Sequence, residues 1–325
     1  MKNILVTGGA GYIGSHIVEQ LLQLNMKIVV VDNLSTGNKK LVNKKAKFFL
    51  CDIKNFNKLD KIFKRNQISS VIHLAAKLSV GESQKKPKKY YLNNVLGTQN
   101  VVECCKKNNV QNLIFSSTCA VYKDRLKVVK ESSKLKPKSI YGKTKLIGEK
   151  FIKLNLKNTK TNYAILRFFN VAGASKSGKI GQISKGDQLF KNLSIASMEK
   201  KPNVNVYGMN YRTKDKTCIR DYIHVSDIAK IHISVLKKIT HGKKSVILNC
   251  GYGKGISVLE AINEFKKQTK KEFKINIKGR RKGDMEEIIS DNSKIKKFIK
   301  WKPKKNSLGN IVKSCINWEK KVRLY

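Results

Sequence analysis

A tyrosine and a lysine four residues apart are the pair in this chain whose types and spacing could do chemistry together. Tyr141 and Lys145 lie in the segment Ser139-Ile-Tyr-Gly-Lys-Thr-Lys145, and this spacing places both side chains on one face of a helix. A phenol has a pKa of about 10 and is a poor base at neutral pH, but a neighbouring cation favours its ionised form. The pair alone is weak evidence, because Tyr and Lys fall four apart by chance in many helices.

A glycine-rich loop near the start of the sequence indicates a dinucleotide site. Gly8, Gly11 and Gly14 follow a predicted strand and open a predicted helix in Thr7-Gly-Gly-Ala-Gly-Tyr-Ile-Gly14. Glycines let the backbone approach a pyrophosphate closely, and a helix N-terminus supplies N–H groups and a positive dipole end. A tight turn without a ligand is the alternative, but the strand–glycine–helix context favours the dinucleotide.

Two carboxylates at predicted strand ends define the cofactor further. Asp32 ends the second strand, where it can accept hydrogen bonds from the ribose hydroxyls and repel a 2′-phosphate. The following residues, Asn33-Leu-Ser-Thr-Gly37, contain no arginine to receive such a phosphate, so the sequence favours NAD over NADP. Asp52 ends the third strand and could meet the adenine amino group, although a helix cap explains it nearly as well.

The elements that position these residues alternate in the manner of an α/β fold with a doubly wound parallel sheet. Short apolar, β-branched runs alternate with helical patterns, which indicates a sheet covered on both faces. We predict a Rossmann NAD-binding domain over 1–167 and a smaller mixed α/β second domain over 168–325, with segments returning to the first. Lysine-rich stretches at 123–138 and 173–188 are predicted surface loops. The predicted strands are Asn3–Thr7, Lys27–Asp32, Lys47–Asp52, Ser70–Leu74, Asn112–Ser116, Tyr163–Phe168 and Val246–Asn249.

Composition argues against several other classes of protein. The 325 residues are 40% hydrophobic, as expected of a globular protein with a well-filled core. No apolar run approaches the roughly 18 residues needed to cross a bilayer, and residues 1–7 show no leader pattern, so we expect a cytoplasmic protein without a membrane partner. Seven cysteines without C-x-x-C pairs argue against a disulfide framework and a zinc site, and no metal is predicted.

The net charge of +47 raises the possibility of a nucleic-acid partner. However, only eight of the 69 basic residues are Arg, and they are spread along the whole chain. Nucleic-acid readers rely on Arg for bidentate contacts and often on interleaved aromatic residues. We therefore expect nonspecific binding at low salt and no specific nucleic-acid function.

With these residues placed, the chain resembles the extended short-chain dehydrogenase/reductase family, and within it the nucleotide-sugar 4-epimerases. The resemblance runs through nearly the whole chain, which is more specific than any one motif. The matching stretches are Thr7–His16, Asp32–Gly37, Val80–Ser83, Tyr90–Val95, Phe115–Thr118, Tyr141–Lys145, Arg167–Gly173, Thr217–Val225 and Arg280–Asp284.

The resemblance implies a reaction. Tyr141 would be the base, Lys145 would order the nicotinamide ribose and lower the phenol pKa, and Thr118 would position the sugar hydroxyl. A hydride would pass from C4 of UDP-galactose or UDP-glucose to tightly bound NAD and return to the other face of a 4-keto sugar, as in galactose metabolism. The family also implies a homodimer, paired through helices near 94–108 and 141–157.

Binding residues are implied in the same way. Around NAD they add to the glycines, Tyr141, Lys145, Asp32, Asn33, Gly37 and Asp52 the residues Tyr12, Ile13, Leu34, Ser35, Thr36, Ile53, Leu74, Ala75, Ala76, Asn93 and Phe169. Around the UDP-sugar they are Thr118, Tyr141, Asn170, Gln188, Leu189, Tyr207, Arg220, Arg281 and Asp284. Lys77 lies one position before a lysine that some members direct at the cofactor, and Leu78 takes that place.

Several alternatives stay open. Same-fold dehydratases carry an Asp-Glu pair after the active-site Ser or Thr and decarboxylases usually a Glu, whereas Cys119-Ala120 follow Thr118 here, which favours an epimerase. The substrate could be another UDP-sugar (a UDP-N-acetylhexosamine, UDP-glucuronate or a UDP-pentose), and Ile288 at the implied gatekeeping position does not decide it. A noncatalytic NAD-binding scaffold is the non-enzyme alternative, which the intact Thr118, Tyr141 and Lys145 oppose.

Overall fold

The structure, a computed structural model, describes residues 3–124, 126–183, 186, 188–242, 245–281 and 283–322. Its strands are β1 Asn3–Thr7, β2 Ile28–Asp32, β3 Lys47–Leu50, β4 Ile68–His73, β5 Asn112–Thr118, β6 Lys127–Val129, β7 Asn162–Phe168, β8 Asn170–Ala172, β9 Asn203–Tyr207, β10 Ile219–His224, β11 Val246–Cys250, β12 Gly255–Ser257, β13 Lys274–Lys278 and β14 Glu287–Ser290. Its α-helices are α1 Tyr12–Leu22, α2 Phe56–Arg65, α3 Val80–Lys85, α4 Pro87–Tyr90, α5 Gly97–Lys107, α6 Ile140–Leu156, α7 Leu189–Ser197, α8 Val225–Gly242, α9 Val258–Thr269, α10 Ser293–Ile299 and α11 Leu308–Val322. A π-helical stretch, Tyr91–Leu96, joins α4 to α5, and short 3-10 turns lie at Lys39–Leu41 and Cys119–Val121.

The main sheet positions the glycine loop and the Tyr141 helix. Its parallel strands run in the order β11-β7-β5-β4-β1-β2-β3. Apolar residues of α1 and α8 pack on one face, and those of α2, α5 and α6 pack on the other. The strand order reverses between β1 and β4, which opens a crevice at the carboxyl ends of these strands. The predicted doubly wound α/β fold is confirmed.

The predicted strands of this sheet lie within two residues of the observed bounds. They were predictable because strands buried on both faces carry continuous apolar runs; every residue of β2 is buried. Lys27 and Asp52 fall outside their strands, and β5 continues two residues beyond the prediction to Thr118. The extension follows from pairing, since Ser117 and Thr118 lie opposite Arg167 and Phe168 of β7.

A second sheet carries two of the residues predicted to bind the UDP-sugar, Asn170 of β8 and Arg220 of β10. It runs in the order β12-β10-β14-β6, with β8 also paired to β10, and β9 pairs with β13 separately. Helices α7, α9 and α11 pack against it around a third apolar core. β11 lies in the main sheet and α8 packs on α1, while β6 joins the second sheet through β14. The division at residue 167 stays a prediction.

The two lysine-rich stretches are not simply surface loops. Within 123–138, Lys127–Val129 forms β6, in register with Ile288–Ser290. Within 173–188, Ala174 and Ile180 are buried, in a small cluster with Leu41 and Trp318 of α11. The prediction was wrong at these points because pairing with distant residues, rather than local composition, decides their burial.

Within the residues that the structure describes, no helix combines the length and apolarity needed to cross a membrane. Among the same residues, no group of three or more His, Cys, Asp or Glu could hold a metal ion. All seven cysteines are buried and carry free thiols.

Candidate active site

The loop between β1 and α1 has the backbone geometry of a phosphate cradle. Gly8 has φ +72, and a Cβ there would lie 2.8 Å from the backbone nitrogen of Ala75. A Cβ on Gly14 would lie 2.2 Å from the carbonyl oxygen of Gly8, so α1 can approach β1 only without a side chain. Gly11 caps α1 without any side-chain hydrogen bond to the first turn. This first turn can therefore offer its N–H groups to an anion, which fits a dinucleotide pyrophosphate.

Asp32 at the end of β2 ties this loop to the next one. One carboxylate oxygen accepts the Ala10 N–H at 3.0 Å, and the other accepts the Leu34 N–H at 2.8 Å. Burial raises the pKa of Asp32 despite these hydrogen bonds. The side chain predicted to meet a ribose thus also shapes the backbone around it. Predicted contacts Ser35, Thr36 and Gly37 lie in the same loop.

Asp52 and Ile53 lie just beyond the end of β3. Asp52 accepts hydrogen bonds from the Asn33 amide at 3.0 Å and from the Lys54 N–H at 2.9 Å. The structure thus joins Asn33 and Asp52, two predicted cofactor residues from neighbouring strand ends. Ile53 packs against Gly97 at the start of α5, where a Cβ would lie 2.4 Å from its Cδ1 atom.

The loop after β4 brings Lys77 into contact with the loop after β2. Leu74, Ala75 and Ala76 follow β4, and the Ala75 N–H donates to the Thr7 hydroxyl at 3.3 Å. The Lys77 ammonium reaches across to the Ser35 hydroxyl at 2.8 Å. Leu78, at the position where the resemblance places a lysine, is 55% exposed. Lys77, which the sequence left aside as one position off, is the lysine that reaches the predicted cofactor loop.

Tyr141 lies in the first turn of α6, beside the end of β5. Ser139 caps the helix by accepting the Gly142 N–H at 3.0 Å. A Cβ on Gly142 would lie 2.4 Å from the carbonyl oxygen of Ala120, so this glycine lets α6 approach the turn after β5. The Thr118 side chain consequently lies close enough to the Tyr141 phenol to lower its pKa.

Burial dominates the electrostatics of Tyr141 and Lys145. It raises the pKa of Tyr141 to about 12, and the nearby Thr118 hydroxyl opposes that rise only in part. Burial also lowers the pKa of Lys145 to about 7, although the charge of Glu149 acts in the opposite direction. The Lys145 ammonium lies 4.4 Å from the centre of the Phe115 ring. The charge of Lys145 is not among the causes of the Tyr141 shift, so its role in lowering the phenol pKa stays a prediction.

A buried ion pair joins α6, the helix that carries Tyr141 and Lys145, to β7. Both oxygens of Glu149 accept hydrogen bonds from Arg167 in β7, at 3.0 and 2.7 Å. Both side chains are 2% exposed, and the Arg167 guanidinium also donates to the Tyr122 hydroxyl at 2.9 Å. A bidentate pair of this kind fixes the rotation of α6 relative to β7.

The predicted substrate residues lie on several elements. Asn170 begins β8 of the second sheet, and Tyr207 ends β9 of the separate β9–β13 pair. Arg220 of β10 donates to the backbone carbonyls of Ile219 at 2.9 Å and of Met285 at 2.6 Å. Carbonyl acceptors orient the guanidinium while leaving its positive charge uncancelled, which suits an anionic ligand.

A second arginine, Arg281, follows β13. Arg281 donates to Asp284 at 2.9 Å and lies 4.8 Å from the centre of the Tyr207 ring. Among the predicted substrate residues, Leu189 is the first residue of α7 and Gln188 precedes it, exposed to solvent.

The turn after β5 connects the two halves of the site. Cys119 is 9% exposed and belongs to an apolar cluster with Phe169, Met285 and Ile288. Burial raises its pKa to about 12, and the nearby Arg220 charge opposes that shift. Thr118 thus lies beside Tyr141 of α6 while Cys119 lies near Arg220, so the residues predicted for acid–base chemistry adjoin a residue predicted to bind an anion.

Some supporting residues were missed by sequence reasoning. His73 is buried between the hydroxyls of Thr7 at 2.7 Å and Thr98 at 3.0 Å, and burial lowers its pKa to about 3. The Asn94 side chain bonds to the backbone of Lys77 in both directions and to Thr144 of α6. A polar residue inside an otherwise apolar run, such as His73 at the end of β4, was the available signal.

Comparisons with known proteins agree with this geometry. The chain matches the family model described as NAD dependent epimerase/dehydratase family over residues 4–251. It is 40% identical to a UDP-glucose 4-epimerase of Dictyostelium discoideum, over 97% of this chain and 95% of that protein. The family agrees with the predicted NAD cofactor.

Solved structures give the same result. A UDP-glucose 4-epimerase from Bifidobacterium longum, in complex with NAD+ and UDP, superposes with a TM-score of 0.93 at 33% identity, covering 98% of both chains. A UDP-Glc/GlcNAc 4-epimerase from Campylobacter jejuni does so with a TM-score of 0.85 at 39% identity, covering 99% of this chain and 100% of that one. With a full-length match in sequence and fold, the chain belongs to the NAD-dependent epimerase/dehydratase family.

Proposed function

We propose that this chain interconverts UDP-galactose and UDP-glucose by inverting C4 of the sugar. The observation that carries the proposal is the proximity of Thr118 to the Tyr141 phenol, one helical turn from the buried Lys145. Relatives named UDP-glucose 4-epimerase match over nearly the whole length of the chain, which supports the same substrate here.

The cofactor in this proposal is NAD, held by the Gly8–Gly14 loop, the loop after β2 and the loop after β4. Asp32, Asn33 and Asp52 would face its adenosine half, and Tyr141 and Lys145 its nicotinamide half. When bound, NAD would supply a reversible hydride acceptor next to sugar C4 and a positive ring that favours ionisation of the nearby phenol. The absence of arginine from Asn33–Gly37 supports NAD over NADP.

Tyr141 acts as the base in this account, and Thr118 holds the sugar. As a phenolate, Tyr141 accepts the proton of the sugar 4-hydroxyl, directly or through the nearby Thr118 hydroxyl, and as the phenol it later returns that proton. Because burial alone raises the pKa of Tyr141 to about 12, ionisation requires positive charge close by. General base catalysis of this kind contributes roughly 10²–10⁴-fold to the rate.

Arg220 and Arg281 would hold the diphosphate of the substrate. The hydrogen bonds that Arg220 makes to carbonyl oxygens fix its orientation and leave its charge available. Asn170, Gln188, Leu189, Tyr207 and Asp284 would complete the binding surface for the UDP-sugar. The protein would then hold the nucleotide firmly while the sugar turns between its two orientations.

Elimination and decarboxylation are less well supported. A dehydratase needs an acid–base pair beside C5 and C6 of the sugar. Cys119 and Ala120 occupy the turn after Thr118, and a thiol whose pKa is raised to about 12 by burial cannot replace a carboxylate.

Acceptance of an N-acetylated sugar is the second candidate, because a UDP-Glc/GlcNAc 4-epimerase is 39% identical. At the implied gatekeeping position, Ile288 is 2% exposed and packs in the same apolar cluster as Phe169 and Cys119. Assaying UDP-N-acetylglucosamine beside UDP-galactose separates the two: turnover of both identifies a dual-substrate epimerase.

A homodimer is proposed from the apolar side chains left exposed on the two predicted interface helices. Leu92 and Leu96 precede α5 and are 42% and 39% exposed, and Leu154 of α6 is 78% exposed. Light scattering across a range of salt concentrations tests this, since the net charge of +47 opposes pairing most strongly at low salt. A monomer at physiological salt would contradict it.

A coupled assay tests the catalytic proposal. UDP-galactose is supplied, and UDP-glucose is detected with UDP-glucose dehydrogenase, for wild type and Tyr141→Phe. We expect wild-type turnover and a loss of about 10³-fold in the variant, with equal NAD content after heat extraction. Bound NAD without wild-type turnover would instead identify the scaffold alternative, and equal rates in both proteins would remove the role of Tyr141.

A further inference from the structure

Trp318 of α11 contacts residues of the stretch between β8 and α7. Its indole ring lies against Gly181, where a Cβ would fall 2.4 Å from the ring. The indole N–H donates to the carbonyl oxygen of Gln182 at 2.9 Å. Trp318 is buried in a cluster with Ala174 and Ile180 of the same segment. The close approach of the ring therefore explains the glycine at 181.

A buried ion pair joins Lys191 of α7 to Glu319 of α11. The Lys191 ammonium donates to a Glu319 oxygen at 2.7 Å, and the two side chains are 5% and 6% exposed. Glu319 directly follows Trp318 in α11, and Lys191 lies in the first turn of α7. Because removing either partner would leave a buried charge uncompensated, this pair strongly constrains where α7 begins.

In the sequence, Gln188 and Leu189 lie between Gln182, which Trp318 contacts, and Lys191, which pairs with Glu319. Gln188 is exposed at the N-terminal end of α7, and Leu189 is half-buried beside it. Both are among the residues proposed to meet the UDP-sugar, whereas Trp318 and the ion pair are buried behind them. We infer that Trp318 and the Lys191–Glu319 pair are positioning residues, which set where Gln188 and Leu189 meet the nucleotide. The inference rests on the proposed function.

This arrangement predicts a specific division of effects. Because Trp318 contacts Gly181 and Gln182, and Glu319 pairs with Lys191 in the first turn of α7, the start of α7 is held before the substrate arrives, and binding does not have to supply the free energy of ordering it. Loosening these contacts should weaken the binding of UDP and raise KM. Tyr141, Lys145 and the glycine loop lie on other elements, so kcat and the retention of NAD should change little. A variant that merely loses stability would not show this division.

The test is calorimetric titration of UDP into the full-length, NAD-containing protein. Trp318→Phe keeps an aromatic ring against Gly181 and removes the N–H that Gln182 accepts. We expect the Kd for UDP to rise about fivefold, the effect of one lost hydrogen bond. Glu319→Gln, which leaves Lys191 without a charged partner, should raise it further.

Trp301→Phe is the matched control. Trp301 stacks on Tyr252, with ring centres 5.9 Å apart, and packs in the core of the main sheet rather than against Gly181 and Gln182. Its substitution should leave the Kd for UDP within a factor of about two. NAD content, measured by heat extraction, should be equal in all the proteins.

The outcomes separate this inference from the function on which it rests. If wild type binds UDP and Trp318→Phe binds it equally well with native thermal stability, the positioning role is overturned and the proposed function stands. If Trp318→Phe and Trp301→Phe weaken UDP binding equally, the effect is general loss of packing and the inference also fails. If wild type does not bind UDP, the proposed function and the inference fail together.

Discussion

Lys145 and Lys191 are buried to nearly the same degree, with 3% and 6% of their surfaces exposed, but their surroundings differ. Lys191 has the Glu319 carboxylate at 2.7 Å. Among the described residues, no carboxylate lies within salt-bridge distance of the Lys145 ammonium, which instead lies over the Phe115 ring. Glu149, one turn along the same helix, is paired with Arg167.

The difference distinguishes Lys191, which has a structural role, from Lys145, for which a role in the reaction is proposed. A buried charge that is paired contributes to the arrangement of the helices around it, whereas one without a partner opposes folding. The lowered pKa of Lys145, about 7, expresses that penalty. Such a residue is retained where its charge or its proton is used, which is typical of active sites.

The largest expected effect is on the activity of Lys145→Met. We predict a fall in kcat of roughly 10²–10⁴-fold, the range for losing part of an acid–base system. The same variant should be more stable than wild type at pH 7 by about 3 kcal/mol, because it removes a poorly compensated buried cation. Coupled assays and urea unfolding measure the two quantities. A variant both inactive and destabilised would show that Lys145 is structural.

Lys191→Met should behave in the opposite way. It leaves Glu319 buried without its partner, so we expect a loss of about 3–5 kcal/mol in the free energy of unfolding. The kcat of the folded fraction should remain within about threefold of wild type, since Lys191 lies outside the acid–base pair. Urea unfolding at pH 7 is the measurement, and equal stability of the variant and wild type would contradict the contrast.

The pH dependence of stability provides a smaller, more specific test. The folded-state pKa of Lys145 is about 7, below its ordinary value of 10.5, so between these values the unfolded chain binds more protons than the folded one. Stability attributable to Lys145 must therefore rise with pH across this window. The stability difference between Lys145→Met and wild type should shrink by about 2 kcal/mol from pH 7 to pH 9. A difference independent of pH would mean that the lysine pKa is not lowered.

The smallest expected effect is that of replacing the whole Lys191–Glu319 pair. Lys191→Met combined with Glu319→Leu removes both charges and keeps similar volumes, which is often close to neutral for stability. We expect the double variant to recover to within about 1 kcal/mol of wild type, measured by urea unfolding. If it is as unstable as Lys191→Met alone, the pair contributes by packing rather than by charge compensation.

Local patterns predicted the parts of the fold that depend on local sequence. The strands of the main sheet were predictable because they are continuous apolar runs, and the Gly8–Gly14 loop because strand, glycines and helix follow one another. β6 was not predictable, since a lysine-rich segment becomes a strand only by pairing with Ile288–Ser290, far along the chain.

The candidate site shows the same limit. Residue types and spacing indicated Tyr141 and Lys145, the family resemblance added Thr118, and the structure brings the three together at β5. The direction of the Tyr141 pKa shift was not predictable, because burial depends on the packing of the whole site. The approach of Lys77 to Ser35 joins residues 42 positions apart, so alignment by position missed it.

The central claim is that C4 of the sugar loses and regains its own hydrogen while Tyr141 removes and restores the hydroxyl proton. The direct test is incubation of UDP-[4-²H]galactose in ordinary water with the NAD-containing protein, followed by NMR of the products. The account predicts UDP-glucose that retains deuterium at C4, with Tyr141→Phe forming it about 10³-fold more slowly. Release of the deuterium to solvent, or formation of a 4-keto-6-deoxy sugar, would contradict the account.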